Sequence, residues 1–218
     1  MEKKWLIPTP PGEESLHVAE EFCAAFKIPK LVADLLYRKG LRTVSEVQYF
    51  FSPSLQGLAD PFLFPDMEKA VTRIITAIDN GERITIYGDY DVDGTTATAL
   101  LYLGLKRLGA IIDFYIPHRM IDGYGLSLGS LDALRESGSS LIISVDCGVN
   151  ALEEIIAINA MGMEIIITDH HNPKDELPPA YAIINPKLPG CPYPFEHLAG
   201  VGVAYKLLHG RICQKGSG

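Results

Sequence analysis

Three aspartates, Asp89, Asp91 and Asp93, stand at alternate positions directly after the apolar run Ile84, Thr85, Ile86, Tyr87, and Gly94 closes the group. Asp146 follows a second apolar run, LIISV, and Asp169, His170, His171 and Asn172 follow a third, MEIIIT. Carboxylates brought this close repel one another and raise each other's pKa. Divalent cations between them remove that cost. Carboxylate and imidazole donors without a chelating thiolate suit manganese or magnesium, with iron or zinc as alternatives. Two cations bridged by one aspartate would clamp a phosphoryl oxygen and activate water. Asp146, alone on its segment, is the natural bridge.

Each cluster has a plainer reading by itself. DYDVDG could be a solvated turn, and a lone His170 is more often structural. A calcium loop of the EF-hand kind is excluded, because its glutamate position holds Leu100, inside a helical stretch. What decides is that all three clusters sit just past the end of a strand-like run. In open parallel sheets those ends share one edge, and ligands bind there.

The elements that must place them are legible. LHVAEEFCAAFKIPKLVADLLYRKG has helical periodicity broken at Pro29 and stopped at Gly40, and SEVQYFFSPS reads as a short helix entered at Ser45. DPFLFPD is a proline-punctuated connector. MEKAVTRIITAIDNG is an amphipathic helix, RITIY a strand, and TTATALLYLGLKRLG a helix with Ala97, Leu100, Leu101, Leu105 and Leu108 on one face. AIIDFYI, LIISV, MEIIIT and YAIIN are further strands. SLGSLDALRESG and HLAGVGVAYKLLHGRICQ are helices between and after them, and NALEEIIAINAMG is a helix with a capping-box-like start at Asn150 and Glu153. Alternating strands and helices predict an α/β fold, a mainly parallel sheet flanked by helices. The expected organisation is a helical lead-in over residues 1–65 and the sheet domain over 66–218.

Composition adds exclusions. The 218 residues are 47% hydrophobic and 21% charged, ordinary globular material. No apolar run reaches the roughly 20 residues of a membrane span, and the N-terminus lacks a signal peptide's apolar core, so a cytoplasmic location is expected. A net charge of −8 disfavours a broad basic face that coats duplex nucleic acid. Bound cations would invert the charge locally. Cys23, Cys147, Cys191 and Cys213 form no metal or disulfide pattern, and Cys147 reads as a buried filler. The lead-in basics Lys27, Lys30, Arg38, Lys39 and Arg42 read as a solvated face.

GDYDVDG, VDCG and TDHH, in this order, resemble the first three motifs of the DHH phosphoesterase superfamily, and within it the RecJ-type branch of single-strand-specific exonucleases. The likeness extends to GLRTVSEVQYFFSPSL, DPFLFPDMEKA, DGYGLS at 122–127 and LAGVGVAYKLL at 198–208. It implies two divalent ions, usually manganese, removal of nucleotides from the 5′ end of single-stranded DNA in repair or recombination, and DNA-repair proteins as partners. Carried over by motif, two of Asp89, Asp91 and Asp93 are metal ligands, Asp146 bridges and His170 is a ligand. Asp169 orients a histidine or assists coordination, and His171 faces the scissile phosphate as acid or electrostatic stabiliser. Manganese pyrophosphatases of the superfamily carry a histidine where Tyr87 stands, which favours the RecJ branch, with Asp89 as substitute. The family also has a fourth motif, an aspartate further downstream, and a C-terminal substrate-gripping domain. The sequence stops at Gly218, so a fragment or a short relative with weakened metal binding is expected.

IPHRMIDGYGLS leaves the same edge. Arg119 could hold a phosphate bidentately, His118 could assist, and Tyr124 could stack on a base. Gly200 and Gly202 could open a helix whose N-terminus faces an anion, though close helix packing is the favoured reading. Two other functions stay open at this stage: hydrolysis of short oligonucleotides or cyclic dinucleotides, and a catalytically silent nucleic-acid-binding scaffold.

Overall fold

Short β-branched runs separated by amphipathic helices build a sheet buried on both faces. The computed structural model describes residues 12–118 and 125–215. Two compact units divide between Leu58 and Ala59.

The first unit holds α1 (Glu13–Phe26), α2 (Lys30–Arg38) and α3 (Val44–Phe51). Ala19, Phe22, Ala33, Leu36 and Val47 form its small core. Lys27 ends α1 in the left-handed region, and Pro29 precedes the first turn of α2. α3 begins one residue before the expected Ser45, because Thr43 and Glu46 form a reciprocal capping box. Lys27, Lys30, Arg38, Lys39 and Arg42 are all exposed.

The second unit carries α4 (Met67–Asp79), β1 (Arg83–Tyr87), α5 (Val92–Arg107), β2 (Ile111–Tyr115), α6 (Leu131–Glu136), β3 (Leu141–Val145), α7 (Leu152–Ala160), β4 (Glu164–Thr168), β5 (Ala182–Ile184) and α8 (Gly200–Lys215). The connector belongs here: Phe64 stacks on Tyr193 at 4.2 Å, and Asp66 accepts the Ile183 amide. All five strands are parallel, in the order β2-β1-β3-β4-β5. The order reverses between β1 and β3, the switch point where such sheets open a crevice.

Strand alternation sorts the core into two layers. Ile84, Ile86, Leu141, Ile143, Val145 and Ile166 pack with Ala97, Leu101, Leu105 and Leu207 of α5 and α8. Tyr87, Ile142, Ile165 and Ile167 face Leu131, Leu134, Ile155 and Ile158 of α6 and α7. Edge strand β2 is half open, with Phe114 51% exposed. Among the described residues no helix is long and apolar enough to cross a membrane.

Helix starts in this unit also differ from expectation. α5 begins at Val92, not Thr95, because the Asp91 carboxylate accepts the Gly94 amide and caps it. The segment before α6 is a 3₁₀ turn over Leu128–Ser130. α7 begins at Leu152 without a side-chain cap, and the predicted capping box is absent, because Asn150 is engaged elsewhere.

The opposite sheet edge is held by Arg73 of α4. Its Nη2 meets Glu82 at 2.6 Å and its Nε meets Glu164 at 2.5 Å. The guanidinium hydrogen bond holds the Glu82 carboxyl below its usual 4.5. A depressed carboxyl pKa stabilises the fold above its unfolded value and is lost as pH falls through the folded one. Arg73→Ala should lower unfolding stability by about 1–3 kcal/mol near neutrality. Urea melts should show that difference shrinking as acid is added below the usual glutamate range. A difference independent of pH would show that packing, not charge, is what Arg73 contributes.

Candidate metal centre

β1, β3 and β4 end side by side, with Tyr87 opposite Ser144 and Val145 opposite Thr168. Hydrogen bonding runs past the strand ends: Gly88 N–H donates to the Tyr115 carbonyl at 2.9 Å, Asp146 to Thr168 at 2.9 Å and Asp169 to Ile184 at 3.1 Å. The loops therefore leave the sheet at one level, and each turns its acidic residue toward the β1/β3 crevice.

Among the described residues, two ligand groups form there, and Asp146 belongs to both. Atoms of Asp89, Asp91 and Asp146 lie within 4.8 Å of one another, as do atoms of Asp146, His170 and His171. His170 Nε2 stands 3.0 Å from Asp146 Oδ1 and 3.7 Å from Asp93 Oδ2. Asp89 and Asp146 are buried, while Asp91 is exposed. Asp146 adopts φ 61°, a left-handed conformation rare for a non-glycine residue. Such strain costs on the order of 1–3 kcal/mol and persists where surrounding structure over-determines it. α8 supplies part of that constraint: a Cβ on Gly200 would stand 2.4 Å from Asp146 Oδ1. Gly94 is required in the same way, since a Cβ there would meet the Asp89 carbonyl oxygen at 2.6 Å.

Burial, then the neighbouring Asp93 and Asp91 charges, push the Asp146 carboxyl up to about 7. A carboxyl raised in the fold stabilises the metal-free chain at low pH, and that contribution is lost as pH rises toward 7. A divalent cation reverses the sign by favouring the ionised form. The donor set thus fits hard or intermediate cations: oxygens from two segments, an imidazole pair from a third, and a carboxylate whose charge the bare protein resists.

Asp93 is held differently from its neighbours. Its carboxylate accepts the Gly200 and Val201 amides, each at 2.7 Å. The N-terminus of α8 does face an anion, and the anion is this side chain. Gly200 thus serves both readings, opening α8 toward Asp93 and allowing the close approach to Asp146, whereas Gly202 packs against Leu198.

Asp169 is buried and supports the histidines. Its Oδ1 accepts the amides of His170 and His171 and stands 2.7 Å from His171 Nδ1, while Oδ2 accepts the Val149 amide. Burial opposes the Asp169 charge, but these hydrogen bonds prevail and hold its carboxyl low. The same contact raises the His171 pKa. Asp169 thereby fixes the orientation of the His171 ring through Nδ1. Asp169 belongs to neither ligand group.

Beside His171 lies a cavity of about 280 Å³ lined by Leu126, Cys147, Gly148, Asn150 and Glu154. Burial drives the Cys147 thiol well above its usual range, which leaves it inert. His118 is exposed beyond β2 and joins neither group. Arg119 and Tyr124 lie outside the described residues. Sequence reasoning did not single out Asn185, although a polar residue ending YAIIN at the same sheet edge was a usable signal.

A profile of the DHH family N-terminal domain matches residues 83–217. Over 206 residues the chain is 43% identical to the single-stranded-DNA-specific exonuclease RecJ of Bacillus subtilis, covering 94% of this chain and 26% of that protein. It is 39% identical over 183 residues to the Escherichia coli exonuclease of the same name, covering 84% and 31%. A crystal structure of exonuclease RecJ bound to manganese superposes with a TM-score of 0.65 at 33% identity, over 73% of this chain and 40% of that one. RecJ of Thermus thermophilus with Mn²⁺ gives 0.69 at 28% identity, over 95% and 28%. The chain thus spans about a quarter to a third of the length of these curated relatives. Shared motifs, their order along the sheet edge and the profile match together make the chain a member of the DHH family.

Proposed function

We propose that the chain carries catalytic machinery of a metal-dependent phosphodiesterase that removes nucleotides from the 5′ end of single-stranded DNA, in repair or recombination. The observation that carries this reading is Asp146, a strained, buried carboxylate common to two ligand groups at the switch point. Two divalent cations, manganese or magnesium, suit the donors. Asp89, Asp91 and Asp146 would hold one. Asp146 and His170, with Asp93 close by, would hold the other. When bound, such a pair stabilises charge on the phosphoryl oxygens and lowers the pKa of water.

The protein's own residues do the rest. Asp169 keeps His171 in one ring orientation and favours its protonated form, so Nε2 can donate to a phosphoryl or leaving oxygen. Asp93 joins the start of α8 to the histidine pair and so holds Gly200 against Asp146. Arg119 and His118 would grip phosphate, and Tyr124 would stack on a base. The relatives named as single-stranded-DNA-specific exonucleases support the substrate class, and the resemblance supports the 5′ direction.

His171→Ala should lower kcat about 10²–10⁴-fold on a single-stranded oligonucleotide, with manganese affinity reduced far less than in Asp146→Asn. Asp146→Asn should abolish both turnover and manganese binding, read by calorimetry. Equal cleavage of duplex and single strand would defeat the assignment.

Metal affinity should also follow Asp146. Manganese must displace its proton, so apparent affinity should rise about tenfold per pH unit below the midpoint of about 7 and level off above it. Calorimetry in buffers of differing ionisation enthalpy should register about one proton released on the acid side. Affinity flat with pH would place the cation away from Asp146.

A further inference from the structure

The loop bearing the two histidines leaves β4 at Thr168, and the chain re-enters the sheet only at Ala182. Asp169 fixes the His171 ring, but it is itself part of that loop. Something outside the loop must fix its backbone, and two asparagines do so from either side. Asn185, fully buried just past β5, donates through Nδ2 to the His171 carbonyl at 3.0 Å. Its Oδ1 accepts the Lys187 amide at 2.9 Å. Asn150, past β3, donates through Nδ2 to the Asn172 carbonyl at 3.0 Å and accepts the Lys174 amide at 2.8 Å. Each amide uses its donor on a loop carbonyl and its acceptor on a backbone N–H, so neither can flip without losing both bonds.

From this geometry we infer that Asn185 and Asn150 are positioning residues for His171, bracketing its backbone between the β5 and β3 ends. This rests on the hydrolase reading for its consequence in turnover, but not for the bracketing itself. Aspartate is nearly isosteric with asparagine, so packing is kept. It presents a carboxylate oxygen to the loop carbonyl where an N–H had donated, and the contact becomes repulsive. The loop must then move, and with it the His171–Asp169 contact.

Nitrogen-15 NMR of the full 218-residue chain, without metal or substrate, tests the bracket directly. In Asn185→Asp, the His171 imidazole signals should shift or broaden. The amide of His171 should exchange at least about tenfold faster, since its opening no longer works against a fixed loop. Asn150→Asp, at an exposed position that leaves the core untouched, should show the same effects more weakly. In turnover on a single-stranded oligonucleotide, kcat should fall about tenfold or more while KM holds. Variants that lose only thermal stability, with His171 signals, exchange and kcat unchanged, would overturn the proposal and leave the asparagines as scaffold. A parent chain that neither turns over nor binds manganese would count against the hydrolase reading alone, since the NMR comparison stands without it.

Discussion

The constraint on which this structure rests is a carboxylate that the bare protein disfavours. Asp146 is buried, twisted into a left-handed backbone, and surrounded by Asp89, Asp91 and Asp93. A chain selected for stability alone would place a neutral residue there, or a glycine. The cost is tolerable where a bound cation repays it, so local instability and function are two aspects of the same arrangement.

The surrounding fold serves that arrangement. Parallel strands of matched length bring three sequence-distant loops to one level. The switch between β1 and β3 leaves a gap over which Asp89 and Asp146 face each other. α8 closes the gap from one side by a helix N-terminus that holds Asp93, and it can come so near only because residue 200 lacks a side chain. From the other side, Asn150 and Asn185 meet the histidine loop. The rigid core beneath, with its isoleucine layers, gives these loops a fixed base. Arg73 ties the far edge by its pairs with Glu82 and Glu164.

The division of labour among the aspartates is also electrostatic. Asp91 caps α5, Asp93 caps α8, and Asp169 gathers three N–H groups and an imidazole. Helix N-termini and backbone amides thereby offset part of the negative charge before any cation arrives. The two buried carboxyls part here: burial raises that of Asp146, while hydrogen bonds lower that of Asp169.

Much of this was readable without coordinates. Strand alternation in RITIY and LIISV, helical periodicity in the intervening segments and the acidic groups past each strand were enough for the parallel sheet and the convergence of Asp89, Asp146 and His170, because local pattern and sheet geometry dictate both. Local pattern misled at the helix starts. Asp91 caps α5 and draws Asp93 into its first turn, and Asn150 serves the neighbouring loop and not its own helix. The second outcome depends on partners in another loop, whereas the Asp91 cap is a local contact to Gly94. The sequence by itself determined which residues reach the edge; only the tertiary structure decided which carboxylate is strained and shared, which is spent on a helix end, and which asparagines hold His171. Burial, backbone twist and hydrogen-bond competition arise only when separate segments meet.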